Sequence, residues 1–155
     1  MPYPILLLIH NALRWLVLGG LLTSLGRSAW GWLQDRSYQP IDQTLRVVTT
    51  SLAHTQLLVG FYLYTQSPIV KYFWTVHPPY REAPEFSFFG LIHISLMLTA
   101  IIVMTIGSSK AKRQSSAQAK FKTTVVYFVI SLLLIFIAIP WPFSPLANRP
   151  LLRTF

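Results

Sequence analysis

The chain of 155 residues contains no cysteine. That excludes disulfides, thiolate metal sites and the covalent C-x-x-C-H attachment of haem c. Histidine, carboxylate and methionine remain as ligand types. Acidic residues are nearly as scarce, with Asp35, Asp42, Glu82 and Glu85 the whole set. Multi-carboxylate hydrolytic or di-iron chemistry has too few groups to work with. Charged residues of either sign make up only 11% of the chain, against about 25% in a soluble domain. Disorder is excluded too, because it needs low hydrophobicity and high charge.

What is abundant is apolar. Hydrophobic residues are 53% of the chain, and the mean hydropathy is +0.50. A soluble domain of this size has no interior large enough for them, so the expectation is an all-α membrane protein. Four apolar runs are long enough to span a bilayer, at about 4–26, 47–66, 86–107 and 123–139. The last stops at Pro140-Trp141-Pro142, where proline withdraws backbone donors. The first run has no basic leader segment and carries Arg14, so a mature span is expected rather than a cleaved signal. No internal repeat is visible. The whole chain, 1–155, reads as one four-helix transmembrane domain with up-down topology.

The formal charge of +9 would suggest nucleic acid in a soluble protein. Here it reads as topology, and no nucleic-acid partner is expected. Eight Lys and Arg residues fall in the first and third loops: Arg27, Arg36, Arg46, Lys110, Lys112, Arg113, Lys120 and Lys122. Four fall on the other side: Lys71, Arg81, Arg149 and Arg153. The positive-inside rule then puts both termini outside, in the periplasm of a Gram-negative cell. Trp30, Trp32, Trp74 and Trp141 lie at span ends, where an aromatic belt is expected.

Ionisable groups inside spans are costly and are functional candidates by default. The runs contain His10, Arg14, His54 and His93. At about 1.5 Å rise per residue, His10 lies roughly 9 Å and His93 roughly 10 Å from the same outer end, while His54 lies roughly 18 Å from it. Spans one and three run in the same direction and are diagonal in an up-down bundle. A flat cofactor between them can take one axial ligand from each. Haem b suits this, needing one or two neutral imidazoles and an apolar slot but no cysteine. His10 with His93 is the first ligand pair, and His54 with His93 the alternate. Arg14 is one turn from His10 on the same face, and its guanidinium suits a haem propionate. The plainer alternatives are a hydrogen bond to a neighbouring helix for each histidine and snorkelling to the interface for Arg14. Met97 and Met104 follow His93 at helical spacing and read chiefly as core packing. The polar group Thr49, Thr50, Ser51, Thr55 and Gln56 reads as interhelical hydrogen bonding, with a quinone contact near His54 and Gln56 as a second reading. His77 lies in the second loop and reads as a surface residue.

These segments resemble a known group. Leu8-Ile9-His10-Asn11-Ala12-Leu13-Arg14-Trp15 and Ala53-His54-Thr55-Gln56-Leu57-Leu58-Val59-Gly60 are similar to the first two helices of small four-span bacterial membrane proteins of cytochrome b type. Ile92-His93-Ile94 with Ile106-Gly107-Ser108-Ser109-Lys110, and Ile139-Pro140-Trp141-Pro142-Phe143, are similar to the third and fourth. The resemblance covers about residues 5–143. More distantly, the layout is like that of the CopD-type copper proteins and the HemJ-type protoporphyrinogen oxidases. It implies a b-type haem on His10, His54 and His93 in some pairing. Near the start of the fourth span, where some relatives carry a histidine, this chain has Lys120-Phe121-Lys122, which argues against a second haem there. The expectation is therefore a multi-pass protein of the bacterial inner membrane, carrying electrons between the quinone pool and a partner. Its contacts would be the bilayer and either other membrane subunits or copies of itself. The alternative class is a cofactor-free accessory subunit of a larger membrane complex; a metal or proton conduit would use the same histidines.

Overall fold

A computed structural model describes residues 2–147 and 149–151. Among them the secondary structure is helical throughout, in the order α1 (Pro2–Leu33), α2 (Pro40–Gln66), α3 (Pro68–Val76), α4 (Pro84–Ser87), a π-helical turn (Phe88–Ile92), α5 (His93–Lys112) and α6 (Ala117–Ala138). Proline opens the first four α-helices of this series, at the first turn, where its missing N–H costs no hydrogen bond. Ser116 caps α6 by accepting from the Ala119 N–H at 3.1 Å. His77 closes α3 in the left-handed conformation, with φ 52°, and Pro78-Pro79 follow.

The four long helices form a closed square. α1 packs on α2 and α6, and α5 packs on α6 and α2, so α1 and α5 are diagonal. Every neighbouring pair is antiparallel. Arg27 meets Asp42 at one end of the α1–α2 pair, and Gln56 reaches His10 at the other. Ser131 of α6 donates to the Ala100 carbonyl of α5 at 3.0 Å. Along the axis lie Val17, Leu21, Ala53, Ala100, Met104, Phe128 and Ile135, all buried. Gly107 lets α5 and α6 come close, since a Cβ there would overlap the Tyr127 side chain.

Much of the apolar surface faces outward instead. Leu16, Leu22, Leu58, Leu133 and Ile137 are each more than half exposed. Around a bundle with so small an interior, such a surface is a lipid-facing one, and the chain is a multi-pass helical membrane protein. Three helical stretches are long and apolar enough to cross a bilayer: Tyr3–Leu33, Pro84–Lys112 and Ala117–Ala138. The sequence predicts four. The second run is indeed helical within α2, which has 27 residues, but it falls short in hydropathy. The cause is its polar content: Thr49, Thr50, Ser51, His54, Thr55 and Gln56 lie in the middle third, and Asp42, Gln43 and Arg46 in the first turns.

The end of the bundle that carries most of the basic residues is closed by charge. Asp42, with a side chain 1% exposed, accepts from Arg27 and Arg36, each at 2.9 Å, and from the Gln39 N–H at 2.9 Å. Burial pushes the Asp42 carboxyl up, but the Gln39 N–H and the two guanidinium groups outweigh it and hold the carboxyl below its ordinary value. Buried Arg46 crosses to α5, donating to the Ser108 hydroxyl at 2.6 Å and to the Ser108 carbonyl.

Candidate functional site

The opposite end of the bundle holds a cavity of about 370 Å³. His10 and Arg14 of α1, Gln56 and Gly60 of α2, and His93 and Met97 of α5 line it, beneath a cover formed by α3 and the segment after α6. His10 and His93 face each other across the bundle axis, with ring centroids 6.5 Å apart and planes at 64°.

His93 is oriented by the way α6 ends. In a continuing helix the Ala138 carbonyl would accept from the N–H of residue 142. That residue is proline and has none. The carbonyl accepts instead from Nδ1–H of His93, at 2.7 Å. The tautomer is thereby set, and Nε2 carries the lone pair. Phe88 and Phe89 flank the ring, with centroids at 5.8 and 6.1 Å. Just before His93 the backbone makes its π-helical turn, which breaks the regular helical bonding. The Gly90 carbonyl in that turn accepts from the Tyr64 hydroxyl at 2.7 Å, and Tyr64 in turn accepts from the Trp74 indole at 2.8 Å. Gly90 also admits the Phe73 ring of α3, which a Cβ would overlap. Such turns recur at functional sites.

His10 is held by α2. Gln56 donates to the His10 carbonyl at 2.8 Å. Gly60 lies beneath the ring, where a Cβ would approach His10 Cε1 at 3.1 Å. Nδ1 of His10 and Oε1 of Gln56 are buried without a hydrogen-bond partner. Buried polar atoms are rarely left so, and both residues line the cavity.

Arg14 lies at the mouth. It donates to the Leu151 carbonyl at 2.7 Å and to Asn11 Oδ1, and its guanidinium lies 5.2 Å from the Trp15 ring centre. Its Nε has no partner. Of the four sequence candidates, then, the structure brings His10, Arg14 and His93 to one cavity. His54 is set apart. It does not line the cavity, is exposed, and its Nε2 lies 2.9 Å from Thr105 Oγ1. Met97 lines the cavity, whereas Met104 is fully buried in the core.

Sequence reasoning missed Arg149. It counts there only as a charge for topology, yet it lines the cavity, pairs with Glu85 and stacks 5.3 Å from the Phe89 ring centre. Gln56 does make the interhelical hydrogen bond expected of it, to the His10 carbonyl, but the identity of that partner was hidden. No local signal marks either contact, because each joins residues far apart in the chain.

The donor set has a definite chemistry. Among the described residues no group of three or more His, Cys, Asp or Glu side chains gathers to hold a metal ion. A closed tetrahedral site is therefore not available. Two opposed imidazoles on an apolar cavity suit a metal whose remaining ligands come from a planar macrocycle. Compared with known proteins, the chain matches no family model, no curated protein and no solved structure.

Proposed function

We propose that this protein is a four-span membrane cytochrome. It holds one b-type haem between His10 and His93 and passes single electrons between the quinone pool and a partner complex. The observation that carries the proposal is the facing pair of imidazoles, 6.5 Å apart, on an apolar cavity. The cavity volume of about 370 Å³ falls in the range of roughly 300–1,000 Å³ typical of cofactor sites. The orphaned Nδ1 of His10 is a donor atom in want of a partner, and the Ala138 carbonyl supplies for His93 the backing hydrogen bond that metal-bound histidines usually have. When bound, the haem supplies a one-electron couple.

The chain's own residues do the rest. His10 and His93 bind and orient, and both do so as neutral imidazoles. Phe88, Phe89 and Met97 exclude water, which together with axial-ligand identity sets the electronics of such a site. Arg14 and Arg149 give the mouth positive charge suited to propionates. In this reading α2 completes the bundle as the fourth span despite its polar centre, because its neighbours accept part of that polarity. Both termini lie on the periplasmic side of a bacterial inner membrane, in keeping with the eight-to-four division of basic residues. Residues 149–151 and the first half of α1 share one end of the bundle, joined through Leu151.

One observation favours a second reading, a cofactor-free accessory subunit. Arg14 finds Asn11 and a backbone carbonyl within the chain, and so has no need of an external anion. The visible spectrum of the purified protein separates the two. Soret and α bands that sharpen on reduction, and that vanish in His10→Ala and in His93→Ala, support the cytochrome. A featureless spectrum after expression with ample haem supports the subunit.

A further inference from the structure

Three polar side chains face outward halfway along α2. Ser51, His54 and Thr55 are all exposed, and His54 lies fourteen residues from Pro40 and twelve from Gln66, roughly 18–21 Å from either helix end. Thr55 is satisfied by its own helix, donating to the Ser51 carbonyl at 3.1 Å. His54 is not. The Thr105 hydroxyl has one proton and gives it to the Ile101 carbonyl at 2.7 Å. It therefore accepts from Nε2–H of His54, at 2.9 Å. The lone pair of His54 then sits on Nδ1, which receives no hydrogen bond among the described residues. Ser51, three residues earlier on the same face, makes no side-chain hydrogen bond among those residues. At mid-bilayer there is no water to serve either group.

The two groups lie on a stripe. Val47, Ser51, His54, Leu58, Phe61 and Thr65 are all exposed and are spaced four, three, four, three and four residues apart, the seam spacing of paired parallel helices. Any outward face repeats in this way. A donor and an acceptor at the centre of it are what lipid contact does not require. Polar residues at seam positions fix register and partner.

We propose that this face of α2 is the interface of a parallel homodimer, in which Ser51 of each copy donates to His54 Nδ1 of the other. A patch that carries both donor and acceptor is self-complementary, as a two-fold contact demands. Two copies inserted in the same direction share the membrane normal as their two-fold axis, so residues 51 and 54 of both meet at one depth. The Cα–Cβ bond of His54 leans toward the N-terminus of α2, and hence toward the level of Ser51. Leu58, 71% exposed, and Val47, 45% exposed, pack on either side of the polar centre. The proposal rests on α2 crossing the membrane and is independent of the haem.

The absence of cysteine makes the test clean. Leu58→Cys and Val47→Cys are introduced singly and oxidised in native membranes, with Leu133→Cys on the outward face of α6 as control. The expected result is a disulfide-linked band at twice the chain mass from both α2 variants and none from Leu133→Cys. His54→Leu placed in the Leu58→Cys background is expected to lower that yield at least fivefold, with haem content unchanged. No dimer band from either α2 variant, a linked band of any other mass, or a yield unaffected by His54→Leu overturns the proposal.

Discussion

At the residue scale, a proline and a histidine placed far apart in the chain act as one device. Pro142 withholds an N–H, the Ala138 carbonyl is freed, and His93 takes it at 2.7 Å. The ring is thus fixed in plane and tautomer before any ligand arrives, which is what second-sphere hydrogen bonds do for metal-bound histidines. In the proposed cytochrome Arg14 acts by charge rather than by geometry. Removing it with Arg14→Leu takes a positive charge from the mouth of the cavity. The oxidised haem, the more positive state, gains relative to the reduced one. The midpoint potential is therefore expected to fall by about 60 mV or more, a tenfold change in a one-electron equilibrium. Redox titration of the purified variant measures this. A potential and haem occupancy equal to those of the unsubstituted protein would reduce Arg14 to an anchor held by Asn11 and Leu151.

At the element scale, the junction of α1 and α2 depends on Asp42. Its carboxylate accepts from Arg27, Arg36 and the Gln39 N–H, and neutralising the shared partner leaves two guanidinium groups without their counter-charge. Asp42→Asn is expected to cost about 3 kcal/mol of stability, toward the low end for a broken buried pair because both arginines keep some water contact. Thermal unfolding in detergent checks it, and a Tm within a degree of the parent would contradict it. The pH dependence follows from the direction of the shift. The folded carboxyl lies below its unfolded value of 3.8, so the stabilisation is complete above that pH. It is lost only as the pH falls through the lower, folded value. Between pH 5 and 8 the penalty of Asp42→Asn should stay constant. The long helices were legible because apolar runs of spanning length admit little else. The similar depth of His10 and His93 was legible because both offsets count from one end of the bundle. Helix α3, the π-helical turn and the strapping of residues 149–151 across the mouth were not. They depend on Tyr64 meeting Gly90, on Phe73 filling the space beside it, and on Arg14 meeting Leu151, contacts that no local pattern encodes. The hydropathy of α2 misled in the opposite sense. Its polar residues read as an ordinary span with hydrogen bonds, and their number is what sets α2 apart from the other three long helices.

At the scale of the whole molecule, the fold is a square of antiparallel helices with one basic end and one end that opens into a cavity. Arg27, Arg36, Arg46 and Arg113, with the lysines at the facing ends of α5 and α6, mark the basic end, which the proposed topology places in the cytoplasm. A reporter inserted within Ser115–Ala119 and another fused after Phe155 are therefore expected to respond on opposite sides of the membrane. Signals from the same side would contradict the crossing of α6, the one helix between the two sites, and with it the four-span reading. In the proposed topology the cavity and its two imidazoles belong to the periplasmic half of the bilayer. The most direct test of the cytochrome reading is the haem-to-protein ratio from the pyridine haemochrome assay on the purified protein, its His10→Ala and its His93→Ala. The expected result is one b-type haem per chain in the unsubstituted protein and loss of most of it in each variant. No haem in the unsubstituted protein, or a full complement retained in both variants, would contradict it.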